Sequence, residues 1–345
     1  GSPAWLKQLP AQARELCSAA RARSGISSGW MHLLIIRHGQ SGNNVLEAAH
    51  GAGDSFNRAR SVDPPLSELG ERQAQELGRR LGAQLWPVRS RVKILCSSMT
   101  RAAQTAEPLA EALSLEPTVR PELHEVGGFY SCKGGPRRPA RGPGRAELQR
   151  RFPRFRCDHV PEEGQGSESM AEACARVRIF RVQLEKMAEG QEGAICVIVS
   201  HNDFIALLVR QLLLRTDDAD GRRGVGVAEP EGLFSDSYWP MNNTGVTHIV
   251  LGLRPPAQAY PVNAYLLYYN RSDHLPEALR SGVQFRNMGA KGVAEWARVG
   301  EGGSGVLPLF DERKACASPG GGWLRVLLWS LLVAAAGFAA GAGGR

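Results

Sequence analysis

Apolar residues in this chain fall into short, largely unbroken runs separated by longer amphipathic stretches. Leu33–Ile36, Val92–Cys96 and Ala194–Val199 are runs of the first kind. Lacking a polar face, they predict strands buried on both sides, as in a parallel sheet. Leu66–Trp86 carries Leu69, Leu77, Leu81 and Leu85 at helical spacing, with Ser67 as candidate N-cap and Glu68 in the first turn. A second helix is predicted to run to Leu113 from a cap at Ser98 or Thr100. Two more are predicted over Ser169–Glu189 and Phe204–Leu214, and a short one over Gly144–Phe152. Val246–Leu251 and Ala264–Tyr269 read as late strands, whereas Glu47–Pro65 has no period and reads as irregular. Strands alternating with helices predict an α/β fold, a three-layer sandwich whose central sheet is mostly parallel and flanked by helices.

The residues that follow each apolar run change the picture. Leu33–Ile36 gives way to Arg37-His38-Gly39-Gln40-Ser41-Gly42-Asn43-Asn44, Val92–Cys96 to a segment containing Arg101, and Ala194–Val199 to Ser200-His201-Asn202-Asp203. Open α/β sheets place their ligands at such carboxyl ends. Guanidinium groups suit phosphate oxygens, an imidazole can act as nucleophile, and Gly39 would let backbone approach a substrate closely. Arg101 would sit in a helical first turn, where a phosphate also meets free N–H groups. Glu125, in Leu123-His124-Glu125-Val126-Gly127-Gly128, offers a carboxylic acid to protonate a leaving oxygen. Taken singly, each of these is equally a solvated turn or an ordinary surface arginine. His38 is read as an exposed turn residue with an imidazole pKa near 6.5, about right for a neutral nucleophile at neutrality.

Composition narrows the class. A hydrophobic content of 43% and a charged content of 22% are those of a globular protein and exclude global disorder. The seven cysteines form no CxxC pair and are odd in number, which argues against a disulfide framework and a zinc site and fits a reducing compartment. No metal-ligand cluster stands out, and no nucleic-acid partner is expected. Between Lys133 and Arg156 nine basic residues face Glu147 alone, an excess equal to the +8 net charge of the whole chain. That run either concentrates anionic ligands near a site or is a solvated basic loop.

Residues 1–30 read as an N-terminal extension, with a basic transit-like helix as the sharper alternative. The domain is expected over 31–285, with insertions near 127–167 and 216–240, followed by a Gly-rich tether over 286–322. The apolar segment 323–345 contains Val326–Ala342 without a charge, at the short limit for a membrane span. It reads as a tail anchor in an intracellular membrane or as a helix docked on protein, for a chain otherwise placed in the cytoplasm.

Four motifs in order, RHGQSGNN, SSMTRAAQTA, LHEVGG and VSHNDF, resemble the histidine phosphatase, or phosphoglycerate mutase-like, superfamily over about Met31–Tyr269. The resemblance implies that His38 is the nucleophile that becomes phosphohistidine and Glu125 the proton donor. It also implies that Arg37, Arg101 and His201 bind the phosphate, with Asn44 matching the asparagine of the RHGxSxxN form, and that no metal or cofactor takes part. Gly127-Gly128-Phe129-Tyr130 departs from the ERHYG pattern of cofactor-dependent mutases, which favours hydrolysis over phosphoryl return. The function so implied is a metal-independent phosphomonoesterase acting on small phosphorylated metabolites. The alternatives are a mutase, or a weakly catalytic phospholigand-binding module recruited to a membrane. In such a family the 133–167 insertion would set substrate choice, and its basic character points to a second phosphate or carboxylate.

Overall fold

The computed structural model describes residues 30–51, 54–133, 135–189, 191–214, 239–253 and 262–281. The N-terminal extension up to 29, most of the 216–240 insertion, the tether and the 323–345 segment lie outside the described residues. Strand β1 (Trp30–Arg37) leads into helices α1 (Gly42–His50), α2 (Asp54–Ala59) and α3 (Glu68–Leu85), and β2 (Val92–Cys96) into α4 (Thr100–Leu113). Then come β3 (Thr118–Val119), β4 (Tyr130–Ser131), β5 (Arg138–Pro139), α5 (Arg145–Arg151) and α6 (Met170–Ala188). The described chain continues with β6 (Ala194–Ser200), α7 (Asn202–Leu214), β7 (Val246–Leu253) and β8 (Val262–Arg271).

Six strands form the central sheet in the order β3-β2-β6-β1-β7-β8. The β3-β2, β2-β6 and β6-β1 pairings are parallel; β7 runs antiparallel to β1, and β8 to β7. In register, Arg37 lies beside Ser200 and Cys96 beside Val199. The carboxyl ends of β1, β2 and β6 therefore finish level and adjacent, which brings the turns after them to one edge.

Alternation along β1 divides the core into two faces. Leu34 and Ile36, with Ile94 and Val197, pack on Leu77 and Leu81 of α3 and Leu109 and Leu113 of α4. Leu33 and Ile35, with Cys196 and Ile198, pack on Val177, Phe180 and Leu184 of α6 and Phe204 and Leu208 of α7. Each such buried side chain contributes roughly 1.5–3 kcal/mol, and covering both faces makes the three layers. Ser67 caps α3 as the sequence indicates, accepting the Gly70 N–H at 3.1 Å. Ser169 and Glu172 close a capping box on α6.

Two local readings are corrected. Glu47–Pro65 is not irregular throughout, because α1 and α2 occupy much of it. Ser41 and Asn44, which look like loop residues in the motif, form the capping box that starts α1. Helix α4 has Met99 at its N-cap with no side-chain cap from Ser98 or Thr100. Asp63, distant in sequence, accepts the Thr100 N–H at 3.1 Å and the Thr100 hydroxyl at 2.5 Å instead. A carboxylate arriving from another segment leaves no trace in the local cap pattern.

The basic run is less of a field than its sequence suggests. Arg141, Arg145 and Arg156 pair with Glu163, Glu162 and Glu116, all outside the run, and Arg151 pairs with Glu147. Among the described residues, no helix is long and apolar enough to cross a membrane.

Candidate active site

His38 is held by β6 on one side of β1 and by the chain that leads into β7 on the other. Its N–H donates to Ser200 O at 2.9 Å on β6, and its carbonyl accepts from Asn243 Nδ2 at 3.1 Å. The side chain is 3% exposed, so it is a buried residue and not the exposed turn residue that a polar, glycine-containing motif suggests. Helix α4 packs against it: Gly39 N–H donates to Thr105 Oγ1 at 3.0 Å, and Thr105 Oγ1 donates to Arg101 O at 2.6 Å. Gly39 is needed for packing. A Cβ there would lie 2.7 Å from the carbonyl oxygen of Gly70, so the start of α3 is what comes up against its backbone.

The imidazole contacts define its tautomer. Nδ1 lies 2.6 Å from Gly39 O, which can only accept, so Nδ1 carries the proton. Nε2 keeps its lone pair, and Arg101 Nε donates to it at 3.1 Å. Burial, then the charges of Arg101 and Arg37, push the His38 pKa well below its ordinary value, outweighing the Gly39 hydrogen bond. Neutrality thus follows from the site and extends over a wider pH range than a solvated imidazole would allow.

The other side chains converge on this one. The His201 ring centroid is 5.1 Å from that of His38, and its Nε2 is 2.8 Å from Ser97 Oγ at the end of β2. Ser97 Oγ accepts the Met99 N–H at 3.2 Å, so its own proton is available for His201 Nε2. That arrangement places the remaining imidazole proton on Nδ1, which is buried and has no hydrogen-bond partner among the described residues. Burial and then the Arg101 charge lower the His201 pKa as well. Arg37 is 6% exposed and donates through Nη1 to Met241 O. Arg101 is 9% exposed, with Asp63 Oδ1 3.9 Å from its Nη1. Of the N–H groups that the sequence offers a phosphate at the start of α4, that of Thr100 is taken by Asp63.

Glu125 lies on the loop after the 3-10 turn Pro121–Leu123, against the first turn of α7. Its Oε1 accepts from Val126 N–H at 2.9 Å and Phe204 N–H at 3.1 Å. Burial and then the Asp203 carboxylate raise its pKa from 4.5 to about 7, against the pull of Arg101 and the two N–H donors. Near neutrality it is a carboxylic acid for much of the time, able to give a proton and take one back. Asn44 is placed differently from the rest. Its Oδ1 accepts the Ser41 N–H at 3.1 Å and the Ser41 hydroxyl at 3.0 Å, so any hydrogen bond to a phosphate would come from its amide nitrogen.

An imidazole with an aimed lone pair, buried guanidinium groups and a raised-pKa acid form a constellation suited to phosphoryl transfer. A model of the histidine phosphatase superfamily, branch 1, matches residues 33–227. The chain belongs to the histidine phosphatase superfamily. Among its relatives, the fructose-2,6-bisphosphatase TIGAR B of Danio rerio is 24% identical over 283 residues, covering 72% of this chain and 98% of that protein. The probable phosphoglycerate mutase GpmB of Yersinia enterocolitica is 28% identical over 187 residues, covering 53% of this chain and 75% of that protein. A solved structure titled mycobacterial hydrolase 1 superposes with a TM-score of 0.44 at 23% identity, covering 70% of this chain and 99% of that one.

Four residues of this histidine phosphatase site were missed by sequence reasoning: Ser97, Thr105, Asp63 and Asn243. Thr105 had a signal, lying one helical turn after Arg101 on the same face of α4. Asp63 stood in view in Asp63-Pro64-Pro65 as the end of a loop. Asn243 had none, since only the antiparallel approach of β7 to β1 brings it to His38.

Proposed function

We propose that the protein is a phosphomonoesterase that hydrolyses small phosphorylated metabolites through a phosphohistidine on His38, without a metal. The observation that carries this reading is the His38 tautomer, a neutral imidazole anchored through Nδ1–H with its Nε2 lone pair turned toward Arg101. In the first step Nε2 attacks phosphorus as the ester P–O bond breaks, and Glu125 gives its proton to the departing oxygen. Arg101 gives up its hydrogen bond to Nε2 for a phosphoryl oxygen, joined by Arg37 and by His201 through Nδ1–H. Loss of one donor of this kind costs on the order of 3 kcal/mol in the transition state. In the second step water attacks phosphorus, the P–N bond breaks, Glu125 takes the proton of the water, and inorganic phosphate leaves.

The name of the Danio rerio relative supports a small phosphorylated substrate. That of the Yersinia relative supports a second reading, return of the phosphoryl group to an acceptor hydroxyl. One experiment tests both: phosphate release in EDTA from an aryl phosphate, phosphoglycerates, sugar phosphates and a phosphopeptide, comparing the native chain with His38→Ala. Release that depends on His38 supports the hydrolase. Phosphoryl exchange with little release supports the mutase, and activity retained by folded His38→Ala would overturn the mechanism.

A further inference from the structure

Glu168, at the exit of the 127–167 insertion, has a side chain only 10% exposed and collects donors from two directions. From the loop that carries Glu125, Gly127 N–H donates to Oε1 at 3.2 Å and His124 Nε2 lies 3.3 Å from Oε2. From α6, Arg176 donates through Nε to Oε2 at 2.9 Å and through Nη2 to Oε1. Burial works against the charge of Glu168, but the hydrogen bonds of His124 and Arg176 outweigh it and hold the carboxyl down to about 2.

Arg176 extends the clamp. Its Nη1 donates to Glu122 O at 2.5 Å, and its guanidinium carbon lies 5.2 Å from the centre of the Phe204 ring. Phe204 supplies one of the two N–H groups that fix the Glu125 carboxylate. The ion pair therefore grips both pieces of chain that determine where that carboxylate sits: residues 122–127 around it and the start of α7 behind it. Gln165 adds a brace, donating to Pro121 O at 2.9 Å and accepting from Ser98 Oγ. A bidentate arginine–carboxylate pair fixes geometry as well as charge. The side-chain contacts of Glu168 go to the loop and to α6, and its backbone carbonyl accepts from Arg137 at 3.4 Å; among the described residues none of its hydrogen bonds reaches His38, Arg101 or Glu125 itself.

We propose that the Glu168–Arg176 pair is the positioning device for the proton donor, holding Glu125 at the distance the leaving oxygen requires. The proposal rests on Glu125 being that donor. Misplacement of a reacting group by about 1 Å can cost on the order of a hundredfold in rate. Glu168→Gln, which keeps the shape and loses the charge, is expected to lower kcat/KM for an alkyl phosphate about ten- to a hundredfold; this and the comparisons below are made in kcat/KM, which reports the step that protonates the leaving oxygen and not the later hydrolysis common to all substrates. An aryl phosphate, whose leaving oxygen needs little protonation, should lose less than about threefold.

The decisive comparison is a double-mutant cycle with Glu125→Gln. In that background Glu168→Gln should add less than about twofold to the alkyl loss, because the group it positions is already disabled. Arg176→Lys keeps the charge without the bidentate fork and should show the same alkyl-selective loss in milder form, with Arg176→Ala worse. Circular dichroism establishes that each variant is folded, and should Glu168→Gln fail to fold, the Arg176→Lys ratio decides. Equal slowing of alkyl and aryl phosphates, an unchanged ratio in Arg176→Lys, or a full multiplicative loss in the double variant would overturn the positioning role. If Glu125→Gln alone slows both substrates equally, the donor assignment fails instead, so the two failures are distinguishable.

Discussion

Replacing Glu125 by glutamine should make the protein less active and, only above a particular pH, more stable. The amide oxygen of glutamine can take the place of Oε1 and keep the Val126 and Phe204 N–H bonds. The substitution then mainly removes the capacity to ionise. In the folded chain burial and Asp203 raise the carboxyl from 4.5 to about 7. Between those values the folded state binds a proton that the unfolded state has released, so stability falls as pH rises through the interval and levels off above 7. The interval is worth roughly 3 kcal/mol. Urea unfolding of both proteins at pH 4.5 and pH 8 should give nearly equal stabilities at the lower value. At the higher, Glu125→Gln should lead by up to about 3 kcal/mol. Other titrating groups are common to both proteins and cancel in the difference. Kinetics supply the second arm. Alkyl phosphate turnover by the native chain should fall about tenfold per pH unit well above 7, a limb absent from Glu125→Gln, which should be slower by about 10²–10⁴. A stability difference that does not change with pH, or the same basic limb in Glu125→Gln, would refute the argument.

Two further substitutions test the scaffold. Thr105→Val keeps the shape and leaves the Gly39 N–H without its acceptor; unfolding should show a loss of about 1–3 kcal/mol, and kcat should fall for alkyl and aryl phosphates alike because the nucleophile loop is displaced. Asp63→Ala removes the distant cap of α4 and should cost about 1–2 kcal/mol in urea unfolding. Phosphate affinity should weaken with it through Arg101.

What the sequence made legible was whatever depends on neighbours along the chain. The runs beginning at Leu33, Val92 and Ala194 are strands because no polar face interrupts them, and their level carboxyl ends bring Arg37, Arg101 and His201 together. The cap at Ser67 was readable because a hydroxyl and the N–H it accepts lie three residues apart. What escaped depends on contact across the fold. Asp63 capping Thr100, Asn243 holding the His38 carbonyl and Glu168 gripping the Glu125 loop join segments separated by tens to hundreds of residues. Burial of His38 escaped for the same reason: the motif is polar in sequence and is covered only when α3 and α4 fold onto it. The lowered pKa of His38 follows from that cover and was unreadable without it.

The same cover leaves the site short of negative charge. Arg101 is buried, and burial is the leading cause lowering its pKa, with Asp63 no nearer than 3.9 Å to its Nη1. His38 and His201 are both driven toward neutrality, so neither adds a positive charge that would hold an anion without the guanidinium groups. A phosphate dianion would restore hydrogen bonds and charge to donors that the fold has already desolvated, and it would bind the folded chain alone. Inorganic phosphate at about a hundred times its Kd should add about 2.7 kcal/mol of stability. For a domain of this size that is a rise of roughly 5–10 °C in Tm, read by calorimetry against chloride at matched ionic strength. Arg101→Ala should lose the rise, whereas His38→Ala, which removes the nucleophile and leaves the guanidinium groups, should keep most of it. An equal rise in Arg101→Ala would mean that phosphate acts elsewhere on the chain, and the assignment of this pocket to phosphate would fall with it.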